Sequence, residues 1–253
     1  MSLQLLILAC GGVFTGILAG FLGIGGGTVL VPLLVALGYP PIEAVATSSM
    51  AIAITASSGT WQNWRMGVLH LRNILLMGIP ALVLAQLGVF LASRVPSQWL
   101  LIGLGCLMLL NIYLFQLRKK LIRQGQSKNA LMPSPIVARV VTGALAGLMA
   151  GLFGVGGGAI MVPLQLLLLN APIKNAVQTS LGVIVVTAIA ATIGHGLHGN
   201  LVPMAGLALG FGGLLGAQVS TRFLPKLPDD WIAIAFRILL LCLAGYSFWR
   251  AAA

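Results

Sequence analysis

Two short stretches hold the residues best suited to chemistry: GFLGIGGGTVLVPLL at 20–34 and GLFGVGGGAIMVPLQ at 151–165. Each has three consecutive glycines followed five residues later by a proline, Pro32 or Pro163. Three glycines in a row strongly disfavour helix, so the backbone should break there. A short helix starting after the run would present unpaired N–H groups at its N-terminus. Those groups and the positive end of the helix dipole attract anions. The candidate anion-contacting backbone is therefore Gly23, Gly25, Gly26 and Gly27 in the first copy. In the second it is Gly154, Gly156, Gly157 and Gly158. Close packing is the competing use of glycine, because small residues let apolar helices approach one another. A dinucleotide site does not fit: GIGGGT lacks the final glycine of GxGxxG, and GVGGGA matches only the form ending in alanine. Neither stands in a strand–helix unit followed by an acidic residue.

The other polar residues in apolar surroundings are few. Thr47 and Ser48 correspond to Thr179 and Ser180 in the second copy. Their hydroxyls either donate to an oxyanion or bond back to their own helix. Gln86 and Gln218 also correspond, and can hydrogen-bond between helices or border a pathway. His195 and His198 lie in GHGLHGN, and Gln62 and Asn63 take the equivalent place in the first half. Two histidines without thiolates or carboxylates make a poor metal site. Substrate or proton handling is the reading left for them, and neither metal nor cofactor is expected. The only acids are Glu43, Asp229 and Asp230, all near predicted loops, so a relay of buried carboxylates is missing. No HExxH, GxSxG or carboxylate pair offers enzyme chemistry.

The elements that position these residues must lie in lipid. Of 253 residues, 59% are hydrophobic and 7% charged, with mean hydropathy +1.06. Soluble domains carry roughly 25% charged residues. Spanning takes about 20 apolar residues, so eight spans would use roughly 160 and leave only short loops. The formal charge of +11 reads as topology signals at helix ends, not as a nucleic-acid surface. Cys10, Cys106 and Cys242 are far apart in apolar segments and are expected to pack rather than form disulfides.

The chain divides into a first transmembrane repeat at 1–117, a basic cytoplasmic linker at 118–135 and a second repeat at 136–253. PIEAVATS (41–48) matches PIKNAVQTS (172–180), and LAQLG (84–88) faces GAQVS (216–220). Each half then reaches a proline and a tryptophan, Pro96 and Trp99 or Pro225 and Trp231. Such duplication is a common build for secondary transporters. Placing the linker inside leaves two topologies. Four spans per half give parallel halves, with nine positive residues inside and four outside; five per half give inverted halves, with eleven against two. The apolar segments 28–38 and 159–169 have 11 residues each, about 16 Å of helix. That is half a bilayer and suits a broken or re-entrant half-helix, so the count stays between eight and ten. The expected fold is an all-α polytopic membrane protein of two homologous repeats of 4–5 segments, each with one such half-helix. Arg237 lies inside the last span, where it must snorkel, pair or line a polar path.

LAGFLGIGGGTVLVPLL with PIEAVATSS, and LAGLMAGLFGVGGGAIMVPL with PIKNAVQTS, resemble the TauE/SafE (TSUP) family of sulfite exporters over nearly the whole chain. The resemblance implies a multi-pass inner-membrane permease that exports sulfite, sulfonates such as sulfoacetate, or other small sulfur-containing anions. By match to the family motif it marks the two glycine runs, Pro32, Pro163 and the Thr-Ser pairs as site residues. Ala46 and Gln178 stand where glycine often occurs in the family, a departure that bears on substrate choice. The partners implied are a small anionic substrate and the lipid bilayer, with no nucleic acid, and a homo-oligomer remains compatible. The alternatives are transport of another small organic or inorganic anion, or a non-transporting membrane subunit whose glycines serve packing.

Overall fold

The computed structural model describes residues 2–23, 25–123, 134–224 and 229–252. These residues form ten helices and no strand: α1 Ser2–Leu22, α2 Gly27–Ala36, α3 Pro41–Arg65, α4 Leu71–Ala92, α5 Ser97–Arg123, α6 Pro135–Phe153, α7 Gly158–Leu168, α8 Ile173–Leu197, α9 Pro203–Phe223 and α10 Asp229–Ala252. Prolines open α3, α6 and α9, where a missing N–H leaves no helical bond unmade. Five of the helices are long and apolar enough to cross a membrane: α4, α5 over 97–114, α6, α8 and α9. The chain is thus an all-helical, multi-pass membrane protein. Helices α2 and α7, with 10 and 11 residues, reach only about 15–17 Å. Within the expected linker, 118–123 continue α5, whereas 124–133 lie outside the described residues, as does Pro225.

Small residues decide the packing. Helix α1 lies along α9 and α4 along α6, while α3 and α8 pack on each other at the centre and α5 pairs with α10. Gly12, Gly16 and Gly20 recur every four residues on α1, as do Gly143, Gly147 and Gly151 on α6. A β-carbon on Gly16 would land on the carbonyl of Gly213, and one on Gly147 on that of Ala81. For these helical glycines close backbone approach is the observed role. The seams leave large side chains outside. Leu75, Ile79 and Val83 on α4, and Phe211, Leu215 and Val219 on α9, are exposed. Trp61, Trp64, Trp99 and Trp249 are exposed near helix ends, where tryptophan favours the lipid–water interface.

One packing expectation is corrected. Cys10, Cys106 and Cys242 are exposed, because the inward seams are taken by glycine and alanine. On α10, Arg237 is half-buried and its Nε has no partner among the described residues.

Candidate functional site: two glycine breaks and their clamps

Helix α1 ends at Leu22, and the chain then turns through left-handed backbone. Gly23, Gly25 and Gly26 have φ of 67°, 72° and 80°; Gly154, Gly156 and Gly157 have 63°, 74° and 79°. Gly26 and Gly157 cap α2 and α7 in this conformation without any side-chain cap. An L side chain there would cost roughly 1–2 kcal/mol. Among the described residues, no backbone N–H of Gly25–Thr28 or of Gly156–Ala159 donates a hydrogen bond. Two uncapped helix N-termini therefore stand in the interior.

The two breaks meet. A β-carbon on Gly27 would lie 2.6 Å from the Gly154 carbonyl oxygen and 2.7 Å from Val155 Cα. Side chains from the central helices hold this arrangement crosswise. Ser48 Oγ on α3 lies 2.8 Å from the Gly154 carbonyl oxygen, and Ser180 Oγ on α8 lies 2.8 Å from that of Gly23. Each serine has a second acceptor on its own helix, Val45 at 2.9 Å or Val177 at 2.8 Å. All four acceptors are carbonyls, so each hydroxyl's single proton is committed to protein. Ser48 and Ser180, expected as oxyanion donors or as hydroxyls bonded to their own helices, are in addition clamps on the opposite break. Thr187 Oγ1 lies 3.0 Å from the Gly156 carbonyl oxygen and adds a third tie. Ile52 and Ile184, both fully buried, fill the space beside Gly25 and Gly156. The centre of the meeting point is filled by apolar side chains.

The paired threonines differ. Thr47 is fully buried, and its hydroxyl oxygen accepts the Val202 N–H at 3.2 Å. Thr179 is 4% exposed, makes no hydrogen bond among the described residues, and borders a cavity between α4, α6, α7 and α8. Gln86 Nε2 donates to the Ala190 carbonyl at 2.7 Å, and Gln218 Nε2 to that of Ser58 at 3.3 Å. These bonds tie α4 to α8 and α9 to α3.

Gln62, Asn63, His195 and His198 stand near the far ends of α3 and α8. Asn63 and His195 are each 15 residues beyond the clamping serines, about 22 Å along the helix, so the structure does not bring them to the breaks. His195 is fully buried and its Nε2 donates to the Gly151 carbonyl at 3.0 Å. His198 is exposed and bonds through Nδ1 to the Gly194 carbonyl at 2.8 Å. Asn63 is fully buried, and among the described residues neither of its amide atoms has a partner. Among the described residues no three His, Cys, Asp or Glu side chains gather to hold a metal.

Sequence reasoning missed Thr28. It is fully buried in the first turn of α2, with Oγ1 unpartnered among the described residues, and Ala159 holds the same position in α7. A hydroxyl next to the triple glycine was the available signal.

Comparison with known proteins finds relatives named as membrane transporters. "Probable membrane transporter protein YdhB" of Bacillus subtilis is 28% identical over 214 residues, covering 84% of this chain and 87% of its own. YunE of the same organism is 27% identical over 94% of this chain and 95% of its own. A "probable membrane transporter protein" of Xylella fastidiosa is 27% identical over 99% and 97%. No solved structure matches the chain. The family described as "Sulfite exporter TauE/SafE" matches residues 8–247, which span both glycine breaks and all four clamping and threonine positions, and the chain belongs to that family.

Proposed function

We propose that this membrane transporter protein exports small sulfur-containing anions, sulfite or sulfonates of sulfoacetate type, across the inner membrane. Its path runs between two inverted repeats, residues 1–117 and 136–253, with α2 and α7 as the half-helices. One observation carries the reading: two helix N-termini without side-chain caps stand in the interior, and the start of α2 lies against Gly154 and Val155, which lead into α7. Their free N–H groups and dipoles favour negative charge. Discontinuous helices are how many secondary transporters present such ends to substrate. Thr28 adds, at one of the two ends, a buried hydroxyl without a partner among the described residues. The family description supplies the substrate class. Ile52 and Ile184 close the centre, so passage requires them to part. An inside-negative potential drives anion exit by about 2.3 kcal/mol per charge per 100 mV, so export needs no buried carboxylate relay.

The test is anion flux in proteoliposomes under an imposed potential, with sulfite, sulfate, thiosulfate, sulfoacetate and acetate. Saturable flux of a sulfur anion that reverses with the potential supports the proposal. Silence for all the sulfur anions, in protein shown to be folded, refutes it.

A further inference from the structure

A cavity lies beside Thr179. It measures about 100 Å3 and is lined by His70, Asn73, Arg139, Gln165, Asn175 and Thr179 with three apolar neighbours. Several waters would fill that volume, so it suits a small oxyanion with part of its hydration shell, not an extended molecule. No carboxylate is among the lining residues. Two of them are more than nine-tenths buried: Thr179 at 4% exposed and Gln165 at 3%. The Gln165 amide is fixed by donating from Nε2 to the Ala176 carbonyl at 3.2 Å. Thr179 has no hydrogen-bond partner among the described residues and faces the open space, which leaves a buried hydroxyl free to donate. Arg139 makes a long bond from Nη1 to the Pro135 carbonyl, 3.3 Å, and its Nε is buried without a partner among the described residues. The corresponding threonine, Thr47, is occupied by the Val202 N–H, so only one of the two threonines has room for a ligand.

We propose that this cavity is a binding station for a small oxyanion. Arg139 supplies the positive charge, Thr179 a hydroxyl donor, and Asn73 and Asn175 amide donors at the mouth. Arg139 lies in the second turn of α6, the helix that follows the basic segment of 118–128 in the chain. The station rests on the transport reading only for its role in translocation; binding stands by itself.

Calorimetric titration of the detergent-purified protein with sulfite is the direct test, repeated with sulfate, phosphate and acetate. Saturable binding of an oxyanion, weakened roughly tenfold or more in Arg139→Gln and in Thr179→Val, is expected. A charge-assisted hydrogen bond is about twice as strong as a neutral one, so Arg139→Gln should lose more. Thr47→Val should keep the wild-type affinity. Arg139→Lys should recover part of the loss if charge is the cause, and melting curves identify any variant that fails to fold. In proteoliposomes, the same variants should raise KM from the Arg139 side with little change in maximal rate. Binding that is unchanged in both Arg139→Gln and Thr179→Val overturns the station even where wild-type flux is intact. Binding with no flux keeps the station and removes the transport reading.

Discussion

Gly157→Ala separates two costs that most glycine substitutions mix. Gly157 and Gly38 both have left-handed backbone, at φ 79° and 91°. Nothing lies within 4 Å of a β-carbon placed on Gly38, whereas one on Gly157 would sit 2.5 Å from the Ala146 carbonyl oxygen and 3.0 Å from its carbon. Those are backbone atoms of α6, which cannot swing aside as a side chain would. Gly38→Ala should therefore cost only the conformational penalty, roughly 1–2 kcal/mol. Gly157→Ala carries that penalty plus overpacking of about 1–3 kcal/mol, so about 2–5 kcal/mol in all. It should also move the start of α7, because that start is what collides. The assay is the unfolding free energy of both variants in mixed micelles, paired with anion flux. The expected result is a larger loss in Gly157→Ala, with flux lost there and kept in Gly38→Ala. Equal stability and equal flux in the two variants would refute the claim that the break is held by contact with α6.

Ser48→Ala and Ser180→Ala should each destabilise by about 1 kcal/mol, and the double variant by more than the sum, because the clamps share one interface; unfolding in mixed micelles measures this. Thr28→Val should leave stability unchanged or raise it, since its hydroxyl has no partner to lose, while lowering flux; full flux would remove Thr28 from the path. Gln86→Leu removes the 2.7 Å bond to Ala190 and should cost about 0.5–2 kcal/mol, visible as a lower midpoint of unfolding. The triple variant of Cys10, Cys106 and Cys242 to Ala should lie within about 0.5 kcal/mol of the parent, which would make it a background for labelling.

Much of the fold is legible in the sequence because its signals are local. Apolar length marks the spans, and triple glycine marks the breaks at Gly23–Gly26 and Gly154–Gly157. Proline at the start of α3, α6 and α9 marks three helix N-termini. The site is only partly legible, because its remaining determinants are distances across the fold. No pattern near Ser180 announces that its acceptor is the carbonyl of Gly23, 157 residues away. Thr47 and Thr179 read as equivalent, yet one meets the Val202 N–H and the other open space. The cysteines read as packing residues because hydropathy gives depth in lipid but not which face of a helix turns inward. His195 and His198 read as a pair from their spacing of three, while the structure sends their rings to separate carbonyls.

The pairing of helices sets a schedule for making the protein. The glycine face of α1 packs on α9, whose first residue, Pro203, comes 181 positions after Leu22 at the end of α1. Synthesis proceeds at roughly 5–20 residues per second, so a newly inserted α1 waits on the order of 10 s or more before its partner exists. Through that interval Gly12, Gly16 and Gly20 offer lipid a face with almost no side chain and nothing to interlock with. Helix α6, by contrast, finds α4 already in the membrane when it arrives. The first half is thus the late finisher of its own assembly, and a chain stopped after α8 would keep the α4–α6 seam intact while leaving the α1 seam open.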